Sequence, residues 1–165
     1  MRRLRRCYHG AGSGPLRIYL VVIDESPEAE SALRFAARRA VKTNGGVEIL
    51  ALVPEQEFVA WGGVQATMEA EARQRAEALV AGAAGTLLAE SGVRPSITVR
   101  QGDGPKIIAE LIAANPEIAA LVLGAAGSGP PGPLVAYFAS GEANLPVPLM
   151  IIPGGLDRDA IDRLS

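Results

Sequence analysis

Five short apolar runs, each followed by a stretch of helical periodicity, constrain this chain more than any other feature. They are "IYLVVI" from Ile18, "VEILALV" from Val47, "SITVR" from Ser96, "IAALVL" from Ile118 and "VPLMII" from Val147. Runs this short and this rich in β-branched residues fit strands covered on both faces. Between the first two, Ser26 offers a helix cap, Pro27 suits the first turn, and Glu28 and Glu30 favour its positive end. Leu33, Ala36, Ala37 and Ala40 then mark an inner stripe, Glu30, Arg34 and Arg38 recur every four residues outside it, and Asn44-Gly45-Gly46 stops the helix. A second helix is expected from about Ala66 to Glu90, with Met68, Ala72, Leu79, Ala83 and Leu87 on its apolar side. A third follows "QGDGP", with Ile107, Ile108, Leu111 and Ile112 inward. A short fourth is expected around Leu134 to Ala143.

Strands alternating with helices specify an α/β domain, Rossmann-like and three-layered, with a mainly parallel sheet and right-handed crossovers. The 165 residues suit one such domain. Its expected span is residues 16–155, after a basic tail over 1–15 and before a short tail or helical turn over 156–165. Apolar residues make up 48% of the chain but aromatics only 4%. Alanine and aliphatic side chains must therefore fill the core, which suits close packing of helix on sheet. No apolar run approaches the roughly 20 residues that span a bilayer. A single cysteine, Cys7, forms no internal disulfide and fits a cytoplasmic setting.

Charge is uneven along the chain. The net value is −2, yet Arg2, Arg3, Arg5, Arg6 and Arg17 all precede the first acidic residue. Setting those five aside leaves eleven of sixteen basic residues against eighteen acidic ones, so the body is acidic. The tail reads as an arm for nucleic acid or anionic lipid, or else as a disordered extension or a start site assigned too early, and the usual looseness of terminal tails favours the latter pair.

Several kinds of catalysis are set aside by residue type. The sole histidine, His9, lies in the tail, so neither a Ser-His-Asp nor a Cys-His mechanism has its base. No His/Cys cluster points to zinc. No Gly-Lys-Ser or Gly-Lys-Thr marks a P-loop, and Asp24-Glu25-Ser26 is not the Ser-Gly-Gly loop of a pyrophosphatase.

Ligands of open α/β sheets bind beyond the carboxyl ends of strands, where strand order reverses. Asp24 stands after the first run and can meet a ribose hydroxyl or an adenine amino group, or else organise the start of the first helix. "QGDGP" is an anion loop or, more simply, a tight turn. Trp61 is a lid over a bound base, or an apolar plug covering the crevice or a partner surface.

Taken in order, "YLVVIDESPEAESALRFAARRA", "VRQGDGPKIIAELI", "IAALVLGAAG" and "LPVPLMIIP" resemble the successive segments of universal stress proteins, from about Arg17 to Pro153. That resemblance implies strand order 3-2-1-4-5, with Asp24 and Gly124 facing one crevice, and dimers. An apolar last strand on an open edge independently calls for cover, by the same strand of a second chain (Val147 to Ile152) or by a terminal segment. Nucleotide-binding members carry Gly-x-x-Gly, nine residues, then Gly-Ser or Gly-Thr. Gly124 and Gly127 fit the first half, but nine residues past Gly127 stand Tyr137 and Phe138, which supply no small donor pair and would crowd a phosphate. Ser140-Gly141 has the composition in reverse order, and "SGPPGP" brings three prolines without amide donors.

The candidate nucleotide contacts are thus Asp24, Val53, Gly124, Gly127, Ser128 and Ser140, for ATP or AMP. The leading expectation is a non-catalytic, dimeric stress-response domain with weak or absent adenine-nucleotide binding, acting through an unidentified protein partner. The alternatives are an ATP- or AMP-binding sensor with slow hydrolysis, and a nucleic-acid-associated protein acting through its arginines.

Overall fold

The computed structural model of the chain describes residues 16–53, 62–141 and 143–165. The basic tail and Trp61 lie outside the described residues. Strands β1 (Ile18–Ile23), β2 (Gly46–Val53), β3 (Ser96–Gln101), β4 (Ile118–Ala125) and β5 (Leu149–Pro153) alternate with helices α1 (Pro27–Thr43), α2 (Gly62–Ser91), α3 (Gly104–Ala114) and α4 (Pro133–Ala139), and α5 (Arg158–Leu164) follows the last strand. The five strands form one sheet in the order β3-β2-β1-β4-β5, each neighbouring pair parallel.

Side chains alternate across a strand, so each apolar run feeds two cores. Val21, Ile49 and Val122 face α1 and α2, whereas Leu20, Leu50 and Leu121 face α3 and α4. The alanine stripe lets α1 lie close to the sheet, with Ala32, Ala36 and Ala40 fully buried. The fourth strand returns beside the first, so the order reverses between β1 and β4 and a crevice opens at their carboxyl ends.

Four details differ from the sequence pattern. Helix α2 has thirty residues, about 45 Å at 1.5 Å per residue, against about 26 Å for the eight-residue β2 beneath it. Its amino-terminal part therefore overhangs, and Met68 is exposed while Val80 and Leu87 carry the burial. Arg34 and Arg38, expected on an outward stripe, are half-buried under α5. The last strand begins at Leu149, after Pro148, rather than at Val147. The fourth helix ends at Ala139, four residues before the expected Ala143. No helix among the described residues is long and apolar enough to cross a membrane.

Candidate functional site

The crevice between β1 and β4 has a volume of about 150 Å³, below the roughly 300 Å³ at which small-molecule pockets begin. Its walls come from the end of β1 and start of α1 (Val22, Asp24, Ser26, Glu28) and from the end of β4 (Leu123, Gly124). Pro131 to Val135, at the amino end of α4, close it. Among the described residues Asp24 and Glu28 are the charged ones in the lining, and no lysine or arginine joins them. A phosphate placed here meets two carboxylates.

Asp24 is exposed at this mouth. Its Oδ1 accepts the Ser26 N–H at 2.9 Å and also the Ser26 hydroxyl. Ser26 occupies the N-cap position but makes no side-chain cap bond, because its hydroxyl is turned back to Asp24. The carboxylate thus folds the strand-to-helix turn through Oδ1 alone among the hydrogen bonds of the described residues.

Packing by itself already requires glycine at position 124. A Cβ there would stand 2.2 Å from the Glu28 carbonyl oxygen, so only glycine lets β4 pass the first turn of α1. Gly127 abuts the chain after β5, where a Cβ would lie 3.2 Å from the Gly155 nitrogen.

The remaining candidates are dispersed. Val53 is buried at the end of β2, and its carbonyl accepts the Gly102 N–H at 3.1 Å. Ser128 is exposed in the β4–α4 loop, away from the crevice walls. Ser140 caps the carboxyl end of α4, its hydroxyl donating to the Tyr137 carbonyl at 2.7 Å. It stands at the far end of that helix from the crevice.

The aromatic pair also stands elsewhere than the motif spacing places it. Phe138 is buried in the core beneath α3 and α4, Tyr137 is 43% exposed, and neither lines the crevice. The physical reason is a short loop. Only four residues separate Gly127 from Gly132, which precedes α4, so the amino end of that helix arrives five residues before the nine-residue spacing. Gly132 and Pro133 occupy the helix start. Proline there has no N–H and no hydroxyl, so the first residue of α4 supplies neither kind of donor, and the two rings lie farther along the helix. The clue in the sequence is "GPLVAYF", a glycine and a first-turn proline ahead of an apolar run.

"QGDGP" is a helix start. Asp103 caps α3, accepting the Lys106 N–H at 3.2 Å, and Gly102 has φ 131°. Its carboxylate is committed to the backbone.

On the far side of α1 lies a cluster that the sequence pattern did not suggest. Arg34 Nε and Nη2 donate to the two Asp162 carboxylate oxygens at 2.9 and 2.7 Å, and Arg38 donates to the same pair at 3.1 and 3.2 Å. Arg34 also reaches Glu90 at 2.7 Å. The Arg34 hydrogen bond, opposed by partial burial and reinforced by Arg38, holds the Asp162 carboxyl below its ordinary value.

Comparison with known proteins places this geometry. The model of the universal stress protein family matches residues 16–152. The fold is similar to the universal stress protein UspA of Lactobacillus plantarum, with a TM-score of 0.70, 17% identity, and coverage of 86% of this chain and 99% of that one. A universal stress family protein from Burkholderia pseudomallei gives 0.67 and 18%, covering 87% and 99%. A family protein from Arabidopsis thaliana, crystallised with AMP bound, gives 0.52 and 18%, covering 88% and 94%. Among curated proteins no match is found.

Proposed function

The chain belongs to the universal stress protein family, and from that premise we propose that it is a cytoplasmic, dimeric, non-catalytic stress-response domain whose crevice takes adenosine weakly and gives phosphates no grip. The observation that carries this reading is the start of α4. Pro133, without an amide N–H or a hydroxyl, opens that helix at the crevice, and Asp24 and Glu28 line the same space. Each missing charge-assisted hydrogen bond forfeits about 1.5–3 kcal/mol, and the two carboxylates repel what remains of the anion. Asp24 keeps an acceptor available to a ribose or adenine donor. The open side of β5 supports pairing with a second copy. Among the described residues that strand bonds only to β4, and Ile151 is 38% exposed on it. Such a dimer presents a paired surface to a protein partner.

The AMP-bound relative from Arabidopsis thaliana motivates the competing reading, a nucleotide sensor. Calorimetric titration with adenosine, AMP and ATP separates the two. The proposal expects AMP and ATP to bind no more tightly than adenosine, since the neutral nucleoside carries all the binding and Asp24 and Glu28 repel the anion. An ATP affinity more than about tenfold above that of adenosine, equal to about 1.4 kcal/mol, overturns it in favour of the sensor.

A further inference from the structure

Residues beyond Ile152 lie outside the family match, and there the chain adds a short strap and a helix. Seven residues form no stable helix unaided. Asp157 caps α5 through the Ala160 N–H at 2.7 Å, and Ile161 is buried to 2% exposure. The rest of its anchorage is electrostatic. One carboxylate, Asp162, receives the forks of both Arg34 and Arg38 from α1. Lys42 donates to the Asp162 carbonyl at 3.3 Å and to the Ser165 carbonyl. Glu90 of α2 ties in Arg34 and Arg158, each at 2.7 Å. Paired forks of this kind are among the stronger polar contacts of proteins, and they fix orientation as well as distance.

The strap between β5 and α5 lies against the glycine loop at the mouth of the crevice. The Gly154 N–H donates to the Ala125 carbonyl at 2.7 Å. A Cβ on Gly154 would stand 3.0 Å from both that oxygen and the Glu28 Cβ, and one on Gly127 would stand 3.2 Å from the Gly155 nitrogen. The strap is therefore stacked between the loop and the first turn of α1. One of its ends is held by β5 and the other by α5, with Leu156 between them packed against the core beneath α1 and α2. Without α5, residues 154–156 keep only the Leu156 contact and the Gly154 hydrogen bond, and the loop loses part of its backing.

We propose that α5 is an electrostatic strut, in which Asp162, gripped by Arg34 and Arg38, acts as a positioning residue that holds the Ala125–Gly127 loop in place through Gly154 and Gly155. Docking of α5 and ordering of the loop are then coupled, and the coupling is reciprocal: whatever orders the loop tightens the helix. The coupling stands whether or not the crevice takes a nucleotide, because it is made of contacts within the chain.

Hydrogen exchange followed by mass spectrometry on the full chain tests it. Asp162→Arg sets a cation against Arg34 and Arg38 and should undock α5. Exchange in α5, at Gly154 and over residues 125–128 is expected to accelerate together by about tenfold or more, the equivalent of 1.4 kcal/mol. Exchange in β1 and β2 should stay at wild-type rates. Pairing the change with Arg34→Asp should restore protection. If reversal prevents folding, Asp162→Asn serves, since it removes the charge without adding repulsion. Loss of protection in α5 with residues 125–128 unchanged overturns the proposal. So does uniform acceleration across all strands, which marks general destabilisation, and so does an α5 that stays protected in every variant.

Discussion

Adding one methyl group at Gly124 should destabilise the empty protein. The Cβ of Gly124→Ala would stand 2.2 Å from the Glu28 carbonyl oxygen and 2.5 Å from its carbon, where ordinary contact begins at 3.4 Å. A gap of about 0.8 Å must open to reach even the tightest tolerated contact of 3.0 Å, and about 1.2 Å to reach ordinary contact, and the two nearest opposing atoms are backbone. Strand β4 is locked between β1 and β5, and α1 is packed on β1 and β4, so neither side yields without loosening the core. Overpacking costs about 1–3 kcal/mol, and opposed backbone atoms place this case near the upper end. At about 2–4 °C per kcal/mol for a chain of this size, Tm should fall by roughly 6–12 °C. Gly82→Ala is the control. Gly82 lies inside α2 with no atom within 4 Å of the added Cβ, and alanine should stabilise that helix by about 0.5–1 kcal/mol. Thermal unfolding by circular dichroism, without ligand, reads both. A wild-type Tm for Gly124→Ala would refute the packing argument and leave that glycine to a ligand.

Three further outcomes are expected. Pro133→Ser returns an amide and a hydroxyl to the start of α4, and ATP affinity by calorimetry should rise about tenfold or more, the worth of one charge-assisted bond, with adenosine unchanged. Ile151→Lys puts a charge on the open edge of β5 and should shift a dimer to monomer in sedimentation velocity; an unchanged dimer would place the interface elsewhere. The third concerns pH. Asp162 is held below its ordinary value first by the Arg34 hydrogen bond, against partial burial and with Arg38 adding to it. As pH falls, the unfolded chain therefore takes up that proton first. The stabilisation is complete above about pH 4, the ordinary aspartate range, and disappears as pH drops from there through the folded value. The difference in urea midpoint between wild type and Asp162→Asn should shrink on acidification below pH 4, and a difference that grew instead would refute the sign.

What the residues alone determined is whatever depends on local periodicity. The runs at Ile18, Val47 and Ile118 could only be buried strands, and the alanine stripe of α1 could only face a sheet, because apolar spacing is a property of adjacent residues. The strand order came from resemblance to a family, and the sheet bears it out. Tertiary structure decided the rest. Counting residues from Gly127 places Tyr137 at the motif's second half, but a loop five residues short starts α4 at Pro133 and puts that residue on the crevice wall, and loop path is set by where a helix docks. Gly124 looked like a ligand glycine, yet the Glu28 carbonyl that requires it lies 96 positions earlier in the chain. Arg34 and Arg38 looked like a solvated stripe until Asp162 closed on them across more than 120 residues. Contacts between elements far apart in sequence leave no period to read, and they govern the crevice.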